Sequence, residues 1–244
     1  MSFEQRWRRR RGFEITYGYR FERNHFYDPE PDPNDFFPLD VVENDGRLTG
    51  AFLFDRRLDP VSPTGGTFTS LSFERAAGWL ASDSSYTKLL LQQYGFWSRG
   101  SLVLAGRVMG GRTVGSDIPL DQRFLAGGAT TVRGYGENAL GPRDIFGLAV
   151  GGTQLLVLNQ ELRFPIHRWF RGVGFLDVGN TFDETYPFDW KELKIGYGAG
   201  LRLNSPIGLL RLDFAIPGST ISSSGRPANT FSSGRWYFGI GHVF

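Results

Sequence analysis

Apolar and polar residues alternate along most of the chain with a period of two. Phe13, Ile15, Tyr17, Tyr19 and Phe21 are interleaved with Glu14, Thr16, Gly18, Arg20 and Glu22. The pattern recurs at Ile195, Tyr197, Ala199, Leu201 and Leu203, set against Lys194, Gly196, Gly198, Gly200, Arg202 and Asn204. It recurs at Leu210, Leu212, Phe214 and Ile216, around Arg211, Asp213 and Ala215. Strand geometry sorts such residues onto two faces, whereas helical geometry would scatter them around a cylinder. The spacing predicts about ten strands, near 12–28, 47–59, 66–80, 86–99, 101–115, 151–165, 171–183, 192–204, 207–217 and 234–244. Leu89, Leu90 and Leu91 break the alternation in the fourth of these.

The connections alternate in length. Residues 29–46, 116–150, 184–191 and 218–233 are long or medium; 81–85, at the same end, is short, so the longer connections fall mostly rather than wholly at one end. The intervening connections at 60–65, 98–100, 166–170 and 205–206 are short. Short turns at one end of a sheet and long loops at the other are the habit of outer-membrane barrels, and a soluble sandwich has no reason to keep that parity.

Composition narrows the class. Among 244 residues there are 33 Gly, 22 Phe, 2 Met and no Cys, and the mean hydropathy is −0.26. No apolar run approaches the roughly 18–20 residues of a membrane-spanning helix. Without cysteine there is no disulfide scaffold, Cys-ligated zinc or thiol catalysis. A net charge of +2 argues against a nucleic-acid partner. The start, MSFEQRWRRRRGF, has basic residues without the apolar stretch of a secretory signal.

Alternation alone leaves open which face is inside. One face is rich in Phe, Tyr, Leu and Ile. The other carries Glu14, Arg20, Asp55, Glu161, Arg163, Asp177, Lys194, Arg202, Arg211 and Asp213. The end of the chain favours a wet interior and a lipid-facing exterior. Trp236, Phe238, Ile240, His242 and Phe244 share one face of the last predicted strand, and aromatics at strand ends suit the membrane interface.

Several motifs carry a family resemblance. The segment Val132-Arg133-Gly134-Tyr135 lies in a glycine-rich loop, 123–142. Phe175-Leu176-Asp177-Val178-Gly179 has the form FxDxG, and 205–213 reads SPIGLLRLD. Asp55-Arg56-Arg57-Leu58-Asp59-Pro60 is followed by Pro63 and Gly65-Gly66, and the chain ends on Phe244. In their order along the chain, from Asp55 to Phe244, these features resemble the outer-membrane protein assembly-factor superfamily, also called the bacterial surface antigen family, with its BamA/TamA-type barrels.

The resemblance implies an all-β fold: an antiparallel transmembrane β-barrel over residues 1–244, similar to the C-terminal part of a sixteen-stranded barrel. On that count the N-terminal strands are missing, so the chain reads as a fragment or a shortened barrel, closed or open-edged, without a POTRA domain. The resemblance also implies that loop 116–150 folds into the lumen and that Arg133 docks on the inner wall at Asp177. From strand parity alone, both Asp177 and Glu161 are available to pair with a buried Arg133, and a buried cation must be paired. The seam strand would comprise Trp236, Phe238, Gly239, Ile240, Gly241 and Phe244, the two glycines weakening its pairing.

The implied function is insertion of client proteins into the bacterial outer membrane, or their translocation, without cofactor, metal or catalysis. The implied partners are outer-membrane lipid and lipopolysaccharide, client outer-membrane or secreted proteins, and periplasmic or lipoprotein accessory subunits. A two-partner secretion pore of the same superfamily, the membrane anchor of a patatin-type fusion and a passive porin are the alternatives. The other chemical readings are weak. The glycine-rich loop lacks the Lys-Ser/Thr of a phosphate loop, and His25, His167 and His242 show no metal spacing. Arg8–Arg11 reads as a solvated rim, and the acidic residues of 28–45 read as an external loop.

Overall fold

A computed structural model describes residues 2–9, 12–27, 40–116, 118–205, 208–220 and 234–241. These form eleven strands: β1 (Ser2–Arg9), β2 (Phe13–Tyr27), β3 (Asp40–Asp55), β4 (Gly66–Ala76), β5 (Tyr86–Arg99), β6 (Leu102–Gly115), β7 (Gln154–His167), β8 (Phe170–Phe182), β9 (Lys194–Ser205), β10 (Gly208–Thr220) and β11 (Arg235–Ile240). They make one antiparallel sheet in which each strand pairs with its neighbours in sequence, from β1 to β11. Beyond the strands, the described residues form three single-turn 3₁₀ segments. Among the described residues the sheet is open, with β1 and β11 as its edges.

The strand count is one higher than the sequence predicts. Ser2–Arg9 pairs with β2, Arg8 facing Glu14 in register and bonding to it at 2.7 Å. Its charges hid it: only Phe3 and Trp7 break a run of polar residues, and both are exposed. Part of the expected acidic loop also joins the sheet, since β3 begins at Asp40 and runs in register with β2. The remainder of that loop, Arg10, Arg11, loop residues 221–233, Pro206, Ile207, His242 and Phe244 lie outside the described residues.

The two faces differ as a membrane barrel requires. Trp97, Leu104, Leu162, Leu176, Leu201, Leu212, Trp236, Phe238 and Ile240 project outward and are exposed. The opposite face holds the buried polar groups and carries the long β6–β7 connection folded against it. That face is therefore the lumen wall.

Its packing also explains the Leu89–Leu91 run. Leu89 and Leu91 face outward, while Leu90 faces inward and packs against an apolar cluster formed by the loop on the wall. The cluster joins Phe124, Ala126, Val132 and Leu140 of the loop to Met109 of β6 and to Leu155 and Val157 of β7. An inward apolar residue suits the wall where the apolar limbs of the loop, rather than water, cover it.

Candidate functional site

The β6–β7 loop enters the lumen by way of short bridges, Phe124 to Gly152 and Ala126 to Leu140, which hold its two limbs together. At its inner tip lies Arg133, with no exposed surface. Such a cation must be matched by anions in good geometry. The structure places three around it, from three strands. Nε and Nη2 grip Asp177 of β8 at 2.7 and 2.9 Å, a two-pronged arrangement that lysine cannot make. Nη1 bonds Glu161 of β7 at 2.9 Å and Asp213 of β10 at 3.3 Å. The Arg133 N–H also donates to Asp177, at 3.1 Å. The guanidinium carbon lies 3.5 Å from the centre of the Phe175 ring, adding a cation–π contact.

A wider network holds the carboxylates. Asn159 donates to Asp177 at 2.7 Å and accepts from Arg107. Arg163 donates to Glu161 at 3.0 Å. Arg202 ion-pairs with Asp213 and, at 3.4 Å, with Glu161. Arg107, Arg163, Arg202, Glu161, Asp177 and Asp213 are all buried.

The glycines of β9 make room for this assembly. Gly196, Gly198 and Gly200 share the lumen face. A Cβ on Gly196 would collide with the Arg133 carbonyl. One on Gly198 would lie 2.7 Å from the Phe175 ring, and one on Gly200 would collide with the Asp213 carboxylate. Gly134 serves differently: its φ of +97° is left-handed, and a Cβ there would lie 2.8 Å from backbone atoms of Ile216 and Pro217.

The rest of the motif reaches the end of the sheet. Val132 is buried in the apolar cluster, and the Tyr135 hydroxyl lies 2.8 Å from the Gly218 carbonyl and 3.1 Å from that of Ile195. The Gly134 N–H donates to the Tyr237 hydroxyl at 2.9 Å, and that hydroxyl donates to the Tyr135 carbonyl at 2.7 Å. Tyr237 belongs to β11, so the loop is tied to the edge strand itself. On the other face of β11, Trp236, Phe238 and Ile240 are 67%, 72% and 68% exposed. Gly239 faces Arg211 of β10, and Gly241, at φ +91°, ends the strand.

The sequence names Asp177 and Glu161 as partners and places Asp213 on the same face without pairing it with Arg133. It does not single out Asn159 or Tyr237, each two residues from a named position on lumen parity, and that parity is the available signal.

The Omp85 superfamily domain profile matches residues 2–244. The chain belongs to the Omp85 superfamily. It is 29% identical over 239 residues to an outer membrane protein assembly factor BamA from Nitratidesulfovibrio vulgaris, covering 94% of this chain and 30% of that protein. Outer envelope protein 39 of Arabidopsis thaliana, a chloroplast protein, is 32% identical over 58% of this chain and 35% of its own length. The crystal structure of BamA from Haemophilus ducreyi lacking POTRA domains 1–3 superposes with a TM-score of 0.73 at 18% identity, covering 97% of this chain and 52% of that one. This Omp85 chain thus shares the BamA barrel fold, is an outer-membrane protein, and spans about a third of the length of the two curated relatives.

Two measurements test this site. Arg133→Ala and Asp177→Ala should each cost roughly 3–5 kcal/mol of unfolding free energy in detergent micelles, because each strands a buried charge. In a double-mutant cycle the two losses should fall well short of adding; additive losses would show that the residues do not act as a pair. Tyr237→Phe leaves the buried Gly134 N–H and the half-buried Tyr135 carbonyl without their partner, a cost of about 1–3 kcal/mol. Hydrogen exchange at Gly134 should speed up in that variant, and an unchanged rate would remove the tie between loop and edge strand.

Proposed function

We propose that this Omp85 chain supplies the part of an outer-membrane assembly or translocation barrel at which client proteins enter the membrane, and that it does so without catalysis. The observation that carries the reading is β11. It has one neighbour among the described residues, pairs with it over only Leu210–Ala215, and turns an aromatic face outward. An unpaired strand edge is a template for another strand. A client strand added there would bond its backbone to β11 and present its apolar side to lipid. The work of insertion would come from the client's own burial and pairing, with no nucleotide.

The docked loop supports the reading from the other side. Val132, Arg133, Gly134 and Tyr135 fill the wall beside β11, and Tyr237 joins the two. In this role Arg133, Asp177 and Glu161 position the loop, and Trp236, Phe238, Gly239, Ile240 and Gly241 form the seam. The clients would be outer-membrane or secreted proteins, in a setting of outer-membrane lipid and lipopolysaccharide. A periplasmic or lipoprotein subunit is a further partner of the same proposal.

Because the chain contains no cysteine, a single introduced thiol reports one position. A thiol at Ile240 should form a disulfide with cysteine-bearing outer-membrane clients during their insertion into liposomes containing this protein, and one at Leu201, in the middle of the sheet, should not. The liposomes should also speed client folding. Equal cross-linking from both positions, or an unchanged folding rate, would overturn the proposal.

A further inference from the structure

A row of arginines crosses the lumen wall below the Arg133 site. Arg171 of β8 faces Arg202 of β9, and Arg202 faces Arg211 of β10. Like charges directly opposite one another destabilise a sheet unless something neutralises them. Arg202 has Asp213 and Glu161. Arg211 is different. It is 8% exposed, yet its Nε and Nη1 have no hydrogen-bond partner among the described residues. Arg211 lies on a wall whose other buried charged groups include Arg107, Arg133, Arg163 and Arg202 beside Glu161, Asp177 and Asp213. A guanidinium held away from water with open donors calls for an oxyanion.

The next position along the row says where that anion comes from. Arg211 faces Gly239 of β11, and a Cβ on Gly239 would lie 2.6 Å from Arg211 Nε. The arginine therefore lies across the bare backbone of the edge strand, and beyond Gly239 there is no further strand among the described residues. Arg211 is on the lumen face, away from lipid, which disfavours a headgroup phosphate.

We infer that Arg211 reads a carboxylate on the strand that pairs with β11, reaching it over Gly239. The occupant is an extended segment of a client whose lumen-side residue opposite Gly239 is Asp or Glu. The inference rests on the proposed pairing of clients with β11 and adds a selectivity rule to it. Glycine at 239 is then an opening for the guanidinium as well as a weak point in pairing.

The test uses the full chain refolded in detergent micelles, its folding checked by heat-modifiable migration. The probes are labelled ten-residue peptides with alternating aliphatic and aromatic residues on one face and Gln on the other. A single Gln→Glu change is walked along the polar face, and binding is followed by fluorescence anisotropy. One register should bind about tenfold more tightly with Glu than with Gln, the worth of one charge-assisted hydrogen bond. Arg211→Gln should abolish the preference and leave Gln-peptide binding unchanged. If Arg211→Gln does not fold, Gly239→Ala should weaken the preference by displacing the guanidinium. Equal binding of all peptides overturns the inference while the pairing proposal stands. Failure of every peptide to bind overturns both. A Glu preference that survives both substitutions assigns it to another residue and overturns the role of Arg211. An Arg211-dependent response to phosphatidylglycerol in the micelles, with no Glu–Gln difference, gives the cation to lipid phosphate and overturns it as well.

Discussion

One fully buried guanidinium organises the lumen side of this sheet. Arg133 has no exposed surface, and its charge is met by carboxylates from β7, β8 and β10. Moving such a group out of water is costly, and the cost is offset only by close, well-directed anions. The loop must therefore run deep enough to bring the arginine to all three strands. The strands in turn must carry acids on lumen parity at one level. The glycines of β9 follow from the same demand, since the Arg133 carbonyl, the Phe175 ring and the Asp213 carboxylate occupy the space their side chains would fill.

This arrangement changes what a two-residue period means. In a simple membrane barrel one face is greasy and the other wet. Here the lumen face of β7 starts apolar, at Leu155 and Val157, and becomes polar at Asn159, Glu161 and Arg163. The change marks where the apolar limbs of the loop give way to its charged tip. On β7 the face is buried along this whole stretch, from Leu155 to Arg163. Its polarity records what the loop presents at each level, not how much water is there.

That dependence sets what the sequence could disclose. Ten of the strands were readable, because alternation needs only local geometry, and the loop lengths disclosed the two ends of the sheet. Ser2–Arg9 was not readable, since Gln5 interrupts the face of Phe3 and Trp7 and leaves only those two as apolar signal. Asp177 and Glu161 could be picked out as acids on lumen parity. Their convergence with Asp213 on one guanidinium depends on register among four strands, which no single stretch of sequence encodes. Tyr237 was hidden for another reason: on a strand with so prominent an aromatic outer face, an inward tyrosine reads as one more aromatic.

The tie through Tyr237 joins two elements of unequal strength. The loop is held by buried ion pairs and an apolar cluster. β11 is held by a single short ladder to β10, beside a glycine and ending at another. Local stability follows such differences, and edge strands with few buried contacts open first. The two hydrogen bonds between Tyr237 and the loop then matter more to β11 than to the loop, because they are a larger share of what holds it. Any event that draws β11 from β10 must break those bonds or move Gly134 and Tyr135 with the strand. Moving Gly134 displaces Arg133, its neighbour in sequence, from three carboxylates at once. The edge therefore opens at low cost only by releasing Tyr237, and the coupling through that residue is reciprocal: the docked loop favours the paired edge by as much as the paired edge favours the docked loop.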